Sequence, residues 1–177
     1  MVNKMDFDEV IKNRHSVRKY KPDPVPMEVV MRVLEAARIA PTWANMQGVR
    51  YVVITDEEQV KNVADGLGKK WLKNVPMFIA AISNEKWSGT RDNLPYFMLD
   101  VGICFEHLIL AATNEGLGTC WLGAFNEDKL KMMLKVQKAN RIVALTPLGY
   151  PDDEPGKRDR KALSEIVFLN EFGKKLE

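Results

Sequence analysis

Two clusters of positively charged side chains are the strongest chemical signal in this sequence, and they lie far apart along the chain. The first cluster comprises Arg14, Arg18, Lys19 and Lys21, and the second comprises Lys157, Arg158, Arg160 and Lys161. Guanidinium groups match the oxygens of a phosphate, so the two clusters would form a compact anion site if the fold brought them together. Composition alone favours the other interpretation, two solvated loops, because charge runs usually face water.

The side chains that usually carry out acid, base or nucleophilic catalysis are sparse. The two histidines, His15 and His107, are too few for a zinc site, and the two cysteines, Cys104 and Cys120, lack the spacing of metal ligands or of a disulfide framework. Cys120 lies in an apolar segment without an evident base, so a structural thiol is expected. Walker-A, G-x-G-x-x-G and G-x-S-x-G patterns are absent from the sequence. We therefore predict no metal site and no catalytic side chain, and we assign the chemistry to a bound cofactor.

Composition excludes several classes of protein. The 177 residues suit one domain, 1–177, and 46% hydrophobic with 28% charged residues is typical of a globular protein. The formal net charge of +2 is too small for a dedicated nucleic-acid or anionic-membrane binder, and the longest purely apolar stretch, residues 75–82, is too short to cross a bilayer. Acidic residues occupy the N-terminal segment where a signal peptide would be apolar, so a cytoplasmic protein is expected. The acidic residues 152–154 are expected to face solvent.

Hydrophobic periodicity and capping residues predict the elements that position these groups. Helices are expected over residues 7–13 with Asp6 as N-cap, over 27–38, between Thr55 and the glycines Gly66 and Gly68, over 96–115 and from residue 126. Strands are expected over 49–55, 76–83, 119–122 and 141–149, with a strand or extended arm over 163–169. The 96–115 helix is apolar nearly all round, so we expect it to be buried on every side, partly by a second subunit. Irregularly interleaved helices and strands favour a mixed sheet covered on both faces.

Four sequence blocks, in this order, carry a resemblance to a known family. They are RHSVRKY at 14–20, APTWANMQ at 40–47, GLGTCWLGAF at 116–125, and the run from LGYP at 148–151 through Arg158, Arg160 and Glu165. Each block alone is a weak signal, but the four together are specific. Over nearly its whole length the sequence resembles the FMN-dependent nitroreductases.

The resemblance implies both a fold and an activity. The fold would be α+β, a three-layer α/β/α sandwich with a mixed, mainly antiparallel central sheet, in a homodimer with an extended C-terminal arm and FMN at the subunit interface. The enzyme would transfer electrons from NADH or NADPH to nitroaromatic, quinone or similar flat small-molecule acceptors by a ping-pong mechanism. Two alternatives remain open: another reaction on the same fold, such as dehalogenation, flavin fragmentation or dehydrogenation, and a flavin-binding protein without turnover.

The resemblance also assigns roles to residues. Arg14, Ser16, Arg158 and Arg160 would hold the phosphate and ribityl chain, Arg18 would lie beside the pyrimidine edge of the flavin, and the main chain at 123–124 would face its N5 side. Pro41, Thr42, Asn45 and Gln47 would come from the other subunit. The full set implied to bind the cofactor is Arg14, His15, Ser16, Arg18, Pro41, Thr42, Trp43, Asn45, Gln47, Leu122, Gly123, Ala124, Arg158 and Arg160.

The sequence departs from the family pattern at two contacts to the flavin ring. The family often has an Asn and a Lys before the strand at 76–83, where this chain aligns Gly68 and Trp71. Lys69, Lys70 or Lys73 could take that role, and the sequence does not choose among them. The segment 84–95 is long enough only for a modest lid over the active site.

Overall fold

The computed structural model describes residues 5–156 and 158–175. In chain order the elements are α1 Phe7–Asn13, α2 Met27–Arg38, β1 Arg50–Ile54, α3 Glu57–Leu67, β2 Met77–Ser83, α4 Glu85–Ser88, β3 Thr90–Arg91, β4 Leu94–Pro95, α5 Phe97–Asn114, β5 Gly118–Thr119, α6 Glu127–Leu134, β6 Arg141–Gly149 and α7 Leu163–Ile166. Short 3₁₀ turns lie at Trp43–Asn45 and Lys70–Asn74. The predicted helices over 7–13 and 27–38 and the strand over 141–149 are confirmed with the same bounds.

The central sheet has the strand order β1-β2-β6-β5, with every neighbouring pair antiparallel. A single parallel bridge joins Ser16 to Thr119 in β5, so the sheet is mixed but mainly antiparallel, as expected. Strand β2 lies inside the sheet, and each of its residues is buried.

Both faces of the sheet are covered, because side chains along a strand alternate between its faces. From β2, Phe78, Ala80 and Ile82 pack into a core with α3 and α6. The alternate residues Met77, Ile79 and Ala81 pack into a second core with α2 and α5. Helices on the two faces complete the predicted three-layer α/β/α sandwich.

Helix α5 packs with one face against α2 and the sheet, through Val101, Phe105 and Leu108. Its other face is open in the single chain, where Met98 and Leu99 are each 55% exposed. The expected burial on every side includes cover by a second subunit, so it stays a prediction. Among the described residues, α5 is the one helix long and apolar enough to span a membrane by length and composition, and 44% of it is buried in the protein.

Three local predictions are corrected by the structure. The N-cap of α3 is Asp56 rather than Thr55, since its side chain accepts from the Gln59 N–H at 2.9 Å. Gly66 lies inside that helix, and Gly68 alone ends it with a φ of +65°. The segment 163–169 begins with the helical turn α7, because the Glu165 carboxylate accepts from the Ala162 N–H at 2.9 Å and caps it.

Candidate functional site

The 14–20 segment runs from the end of α1 to the edge of the sheet. Arg14 is the C-cap of α1, and the Val17 N–H donates to the Thr119 carbonyl at 2.8 Å. Val17 is buried against Gly118, where a Cβ would lie only 2.7 Å from the Val17 side chain. Tyr20 is also buried and donates its hydroxyl to the Val17 carbonyl at 3.0 Å. The segment is therefore anchored by its apolar residues, which leaves its polar residues on the other side.

The two basic clusters meet at one cavity of about 350 Å³. Its lining residues are Arg14, His15, Ser16, Arg18, Asp153, Glu154, Gly156, Arg158 and Arg160. The interpretation as two separate solvated loops is therefore wrong for the arginines. Lys19, Lys21 and Lys161 are exposed, and Lys157 lies outside the described residues.

The arginines of this cavity have different roles in the fold. Arg158 is half-buried, and its two terminal nitrogens donate to the carbonyls of Lys12 and Arg14. It thus ties the C-terminal segment to the end of α1. Arg160 is exposed at the rim and donates to its neighbour, the Asp159 carbonyl, at 2.9 Å. Two of the five N–H donors of Arg158 are committed to the main chain, whereas Arg160 is held only locally.

One acidic residue of the cavity was not predicted from the sequence. Asp152 faces solvent as expected and pairs with Lys19 (Oδ2 to Nζ, 2.6 Å). Asp153 does not face solvent freely: it is half-buried, and its Oδ2 accepts from the Arg18 main-chain N–H at 2.9 Å. Its Oδ1 lies 3.4 Å from Nε2 of His15. The only sequence signal for this role is an aspartate two residues after Pro151, at the end of a core strand.

The Cys120 thiol lies beside the first cavity. Burial raises its pKa, and the positive charges of Arg18 and Lys69 with a hydrogen bond to Ser16 offset part of that effect. A thiol with a raised pKa stays protonated at neutral pH, which agrees with a structural role.

Among the three candidate lysines, Lys69 is the one near Arg18 and Cys120. Lys70 is exposed, and Lys73 lines a different cavity. Trp71 is part of the core packing, because its ring stacks on Tyr20 with centroids 6.5 Å apart. Of these three lysines, Lys69 is therefore the one whose charge acts near the Cys120 thiol.

The 41–47 segment lies elsewhere in the chain. Thr42 and Gln47 line a second cavity of about 390 Å³ between α2, β1 and α5, which shares no lining residue with the first cavity. Pro41 and Asn45 are exposed, and Trp43 is half-buried. Within one chain, these residues are not brought together with the arginines.

The main chain of this segment is strained. Ala44, Asn45 and Gln47 have φ values of +46°, +54° and +52°, in the left-handed region that non-glycine residues rarely adopt. The buried carboxylate of Asp100 accepts from the Trp43 N–H at 2.7 Å and from the Ser88 hydroxyl. Backbone strain of this kind is typical of ligand-binding segments, and the Asp100 hydrogen bond ties this segment to α5 at Trp43.

The 122–124 turn combines one buried and two exposed residues. Leu122 is buried, and its N–H and carbonyl both pair with Leu145, at 2.8 and 3.0 Å. Gly123 and Ala124 are exposed, and a Cβ at Gly123 would meet only the Trp121 ring nitrogen, at 4.0 Å. Leu122 therefore positions the turn, while the next two residues present their main chain to open space.

Known proteins that are similar to this chain show its family. A family model described as "Putative TM nitroreductase" matches residues 6–175. The chain is 30% identical to a "Putative NADH dehydrogenase/NAD(P)H nitroreductase" of Methanothermobacter thermautotrophicus, over 89% of this chain and 84% of the relative. It is 28% identical to an iodotyrosine deiodinase of Nematostella vectensis, over 93% and 75%.

Solved structures share the whole fold. A nitroreductase family protein from Clostridium novyi NT is 34% identical, with a TM-score of 0.80 and 97% of each chain covered. An FMN-dependent nitroreductase from Clostridium difficile R20291 is 27% identical, with a TM-score of 0.80 and coverage of 92% of this chain and 98% of the other. By sequence and by fold, this protein belongs to the nitroreductase family.

Proposed function

We propose that this protein is an FMN-dependent oxidoreductase that transfers electrons from NADH or NADPH to nitroaromatic, quinone or similar flat acceptors in two separate half-reactions. The observation that carries the proposal is the convergence of Arg14, Arg18, Arg158 and Arg160 on one cavity. The names of the relatives, which include an NAD(P)H nitroreductase and an FMN-dependent nitroreductase, support the same activity.

The donor groups of the first cavity fit the phosphate of FMN. Guanidinium groups and the Ser16 hydroxyl are hydrogen-bond donors of the kind that a phosphate dianion requires. The guanidinium groups also bring positive charge together at one cavity of a nearly neutral chain. Arg14, Ser16 and Arg160 would bind the phosphate and ribityl chain, while Arg158 would hold Arg14 in place. Arg18 and Lys69 would supply positive charge near the ring, which favours the reduced, negatively charged flavin.

FMN supplies the electron chemistry when bound, so the chain has to bind, orient and shield it. The exposed main chain at Gly123 and Ala124 would approach the N5 edge of the ring closely, because Gly123 carries no side chain. His15 and Leu122 would act by positioning the two segments that contact the cofactor.

We further propose that each site is completed by a second copy of the chain, in a cytoplasmic homodimer without nucleic-acid or membrane partners. The 41–47 segment and the arginines line different cavities in one chain. The Trp43 N–H bonds to Asp100 near the start of α5, whereas His15 and Val17 line a cavity with Thr113 near its end. Asp100 and Thr113 are about 20 Å apart along the helix, at 1.5 Å per residue. A partner that brings its own Pro41, Thr42, Trp43, Asn45 and Gln47 to the first cavity would remove this separation.

Two unpartnered surfaces support the homodimer. The open face of α5 carries Met98 and Leu99, and the C-terminal arm, residues 163–175, exposes Leu163, Ile166, Leu169 and Phe172. Strand β1 is an edge of the sheet and borders the apolar second cavity. An arm from the partner could pair with this edge and bury its apolar residues there.

The visible spectrum of the purified protein tests the activity. We expect a flavin spectrum that is bleached within seconds by anaerobic NADH or NADPH and restored by a nitroaromatic or a quinone. A flavin that stays oxidised with both nicotinamides, in a protein that binds FMN tightly, would favour a binding protein and refute the oxidoreductase.

Complementation between two defective chains tests the shared site. The double variant Arg14→Ala, Arg160→Ala keeps the 41–47 segment, and Asn45→Asp keeps the arginines. If each site uses both chains, a purified heterodimer of the two variants recovers one FMN per dimer, whereas neither homodimer binds FMN well. A heterodimer as empty as both homodimers would show that one chain builds the whole site.

Reductive dehalogenation is a second candidate reaction. Residues 84–96 contain only α4 and the short β3–β4 hairpin, so the lid is small, and one of the relatives is an iodotyrosine deiodinase. Product analysis with mono-halogenated phenols under reducing conditions separates the two reactions, since halide release is required for dehalogenation alone.

A further inference from the structure

An aspartate is buried near the start of the apolar helix α5, and the chemistry proposed above does not use it. Asp100 lies in the first turn of this helix and is 1% exposed. None of the ion pairs among residues 5–156 and 158–175 includes it. Burial of such a side chain is costly unless hydrogen bonds satisfy it, so the partners of Asp100 indicate what it does.

The bonds of Asp100 join two segments that are far apart in the sequence. Its Oδ1 accepts from the Trp43 N–H at 2.7 Å, at the start of the 41–47 segment. Its Oδ2 accepts from the Ser88 hydroxyl in the lid, residues 84–96. The Trp43 N–H is the first of a 3₁₀ turn and has no acceptor inside that turn, so Asp100 serves as its cap from another element.

The two segments also pack directly on each other. The Trp43 ring lies on the main chain of Gly89, where a Cβ would be only 2.4 Å from the ring, and its centroid is 5.5 Å from that of Tyr96. At a second contact, a Cβ at Gly48 would be 2.4 Å from the Trp87 carbonyl oxygen. Close packing at both places leaves little room for one segment to shift without the other.

The 41–47 segment depends on contacts outside itself. Its internal bonds, such as that from the Gln47 N–H to Thr42 Oγ1 at 2.9 Å, are local and would move with it. Three of its residues have left-handed φ values that cost energy, so a segment without anchors would relax. Asp100 anchors its start to α5, and Arg50 anchors its end through the Gln47 carbonyl at 2.7 Å.

We propose that Asp100 is a positioning residue of the cofactor site: its two hydrogen bonds hold the 41–47 segment and the lid together as one preformed surface that faces the flavin of the other subunit. The inference rests on the proposed function and homodimer for the identity and the place of the ligand. The joint anchoring of the two segments is independent of both.

Amide hydrogen exchange, followed by nuclear magnetic resonance, tests the anchoring without any flavin. Asp100→Leu removes the acceptors at similar volume, and Leu130→Ala is the matched control, a buried residue of α6 on the opposite face of the sheet whose truncation lowers the stability. We expect the Trp43 N–H, and the Tyr96 N–H that donates to the Gly89 carbonyl at 3.0 Å, to exchange at least about tenfold faster in Asp100→Leu than in Leu130→Ala. A general loss of stability would not single out these two amides, because they exchange by local opening.

Two milder variants complete this test. Asp100→Asn keeps an oxygen for the Trp43 N–H and a donor for the Ser88 oxygen, so both amides should exchange within about threefold of the wild-type rate. Ser88→Ala removes only the bond to the lid and should speed exchange of the Tyr96 N–H at least about threefold, which keeps the inference testable if Asp100→Leu does not fold. Equal exchange of both amides in Asp100→Leu and Leu130→Ala, or an unchanged Tyr96 N–H in Ser88→Ala, would overturn the joint anchoring.

Flavin binding, measured by quenching of flavin fluorescence, tests the role at the cofactor. Asp100→Leu should weaken FMN and riboflavin alike, at least about tenfold, because the 41–47 segment is not assigned to the phosphate. Asp100→Asn and Leu130→Ala should stay within about threefold of the wild type. Equal affinity in Asp100→Leu and Leu130→Ala would overturn the positioning role but not the proposed function. A wild type that binds neither flavin would refute the proposed function and this role with it, while the exchange rates would still decide the anchoring.

Discussion

Arg160 and Arg158 lie two residues apart and line the same cavity, yet the structure predicts that only the loss of Arg158 also lowers the stability of the fold. Arg160 is exposed and bonded only to its neighbour, so its guanidinium is available to a phosphate. Arg160→Ala is expected to weaken FMN binding by about 1.5–3 kcal/mol, the value of a hydrogen bond to a charged group, which is about 10- to 150-fold in dissociation constant. The free energy of unfolding should change by less than about 0.5 kcal/mol, as is usual for exposed residues.

Arg158→Ala is expected to lower the stability of the apoprotein as well as the affinity. It removes two hydrogen bonds that join the C-terminal segment to the carbonyls of Lys12 and Arg14. Because Arg158 is only half-buried, we expect a loss of about 1.5–3 kcal/mol in total, toward the lower end for two bonds from a charged donor. Urea denaturation of the apoprotein measures the stability, and quenching of flavin fluorescence measures the affinity.

Lys161→Ala is the control for loss of positive charge without loss of a specific contact, since Lys161 is exposed and lies outside the cavity lining. Its FMN affinity should change less than threefold. Unchanged affinity in Arg160→Ala would show that the phosphate binds elsewhere. A stability loss in Arg160→Ala as large as that in Arg158→Ala would refute the division of roles between the two arginines.

Three further changes test how the site is supported. Gly118→Ala should lower the free energy of unfolding by about 1–3 kcal/mol, because the new Cβ would lie 2.7 Å from the Val17 side chain, and urea denaturation measures the loss. Asp100→Ala should cost about 2–5 kcal/mol by the same assay, since it leaves the Trp43 N–H and a buried hydroxyl without their acceptor. Burial alone would raise the pKa of Glu127, but hydrogen bonds from Arg141, Lys131 and the Ile142 N–H outweigh it and hold this pKa below the usual value of 4.5. A lowered pKa in the folded state means that this contribution to stability is present above about pH 4.5 and is lost as the pH falls through the folded value, so Glu127→Gln should flatten the acid limb of a stability profile between about pH 5 and 3.

The first two of these changes have a control in the chain. Gly156→Ala, where a Cβ would meet no atom within 4 Å, should leave the stability nearly unchanged. Ser88→Ala removes only one of the two donors to Asp100 and should cost less than Asp100→Ala. A Gly118→Ala variant as stable as Gly156→Ala would contradict the packing argument, and an acid limb unchanged by Glu127→Gln would contradict the assignment of that carboxyl.

Much of the fold could be predicted because it depends on neighbours in the sequence. The period of apolar residues set the bounds of α2, and Asp6 began α1 through a capping box with Glu9, a contact over three residues. The errors came where two local signals competed. Thr55 and Asp56 are both of residue types that favour the N-cap position, and only the folded backbone shows that Asp56 occupies it. At 163–169 the apolar residues suggested an extended segment, but Glu165 capped a helical turn instead.

The residue types of the candidate site could be predicted from the sequence, but their arrangement in space could not. The arginines, the left-handed segment 41–47 and the 122–124 turn were singled out from residue types and from the family resemblance. The role of Asp153 was missed, because an aspartate in a loop has no sequence pattern that distinguishes a solvated carboxylate from one bonded to the Arg18 main chain 135 residues away. For the same reason, Lys69 could not be separated from Lys70 and Lys73.

The sequence by itself predicted most of the helices and strands and singled out two basic clusters as a candidate anion site, since these depend on residue type and on contacts over a few positions. Only the tertiary structure decided that Arg158 holds the end of α1, 144 residues earlier in the chain, and that the 41–47 segment lies apart from the arginines. Residues so far apart along the chain come together only when the helices pack on the sheet. Their distances depend on the packing of all elements at once, and no local sequence pattern contains that information.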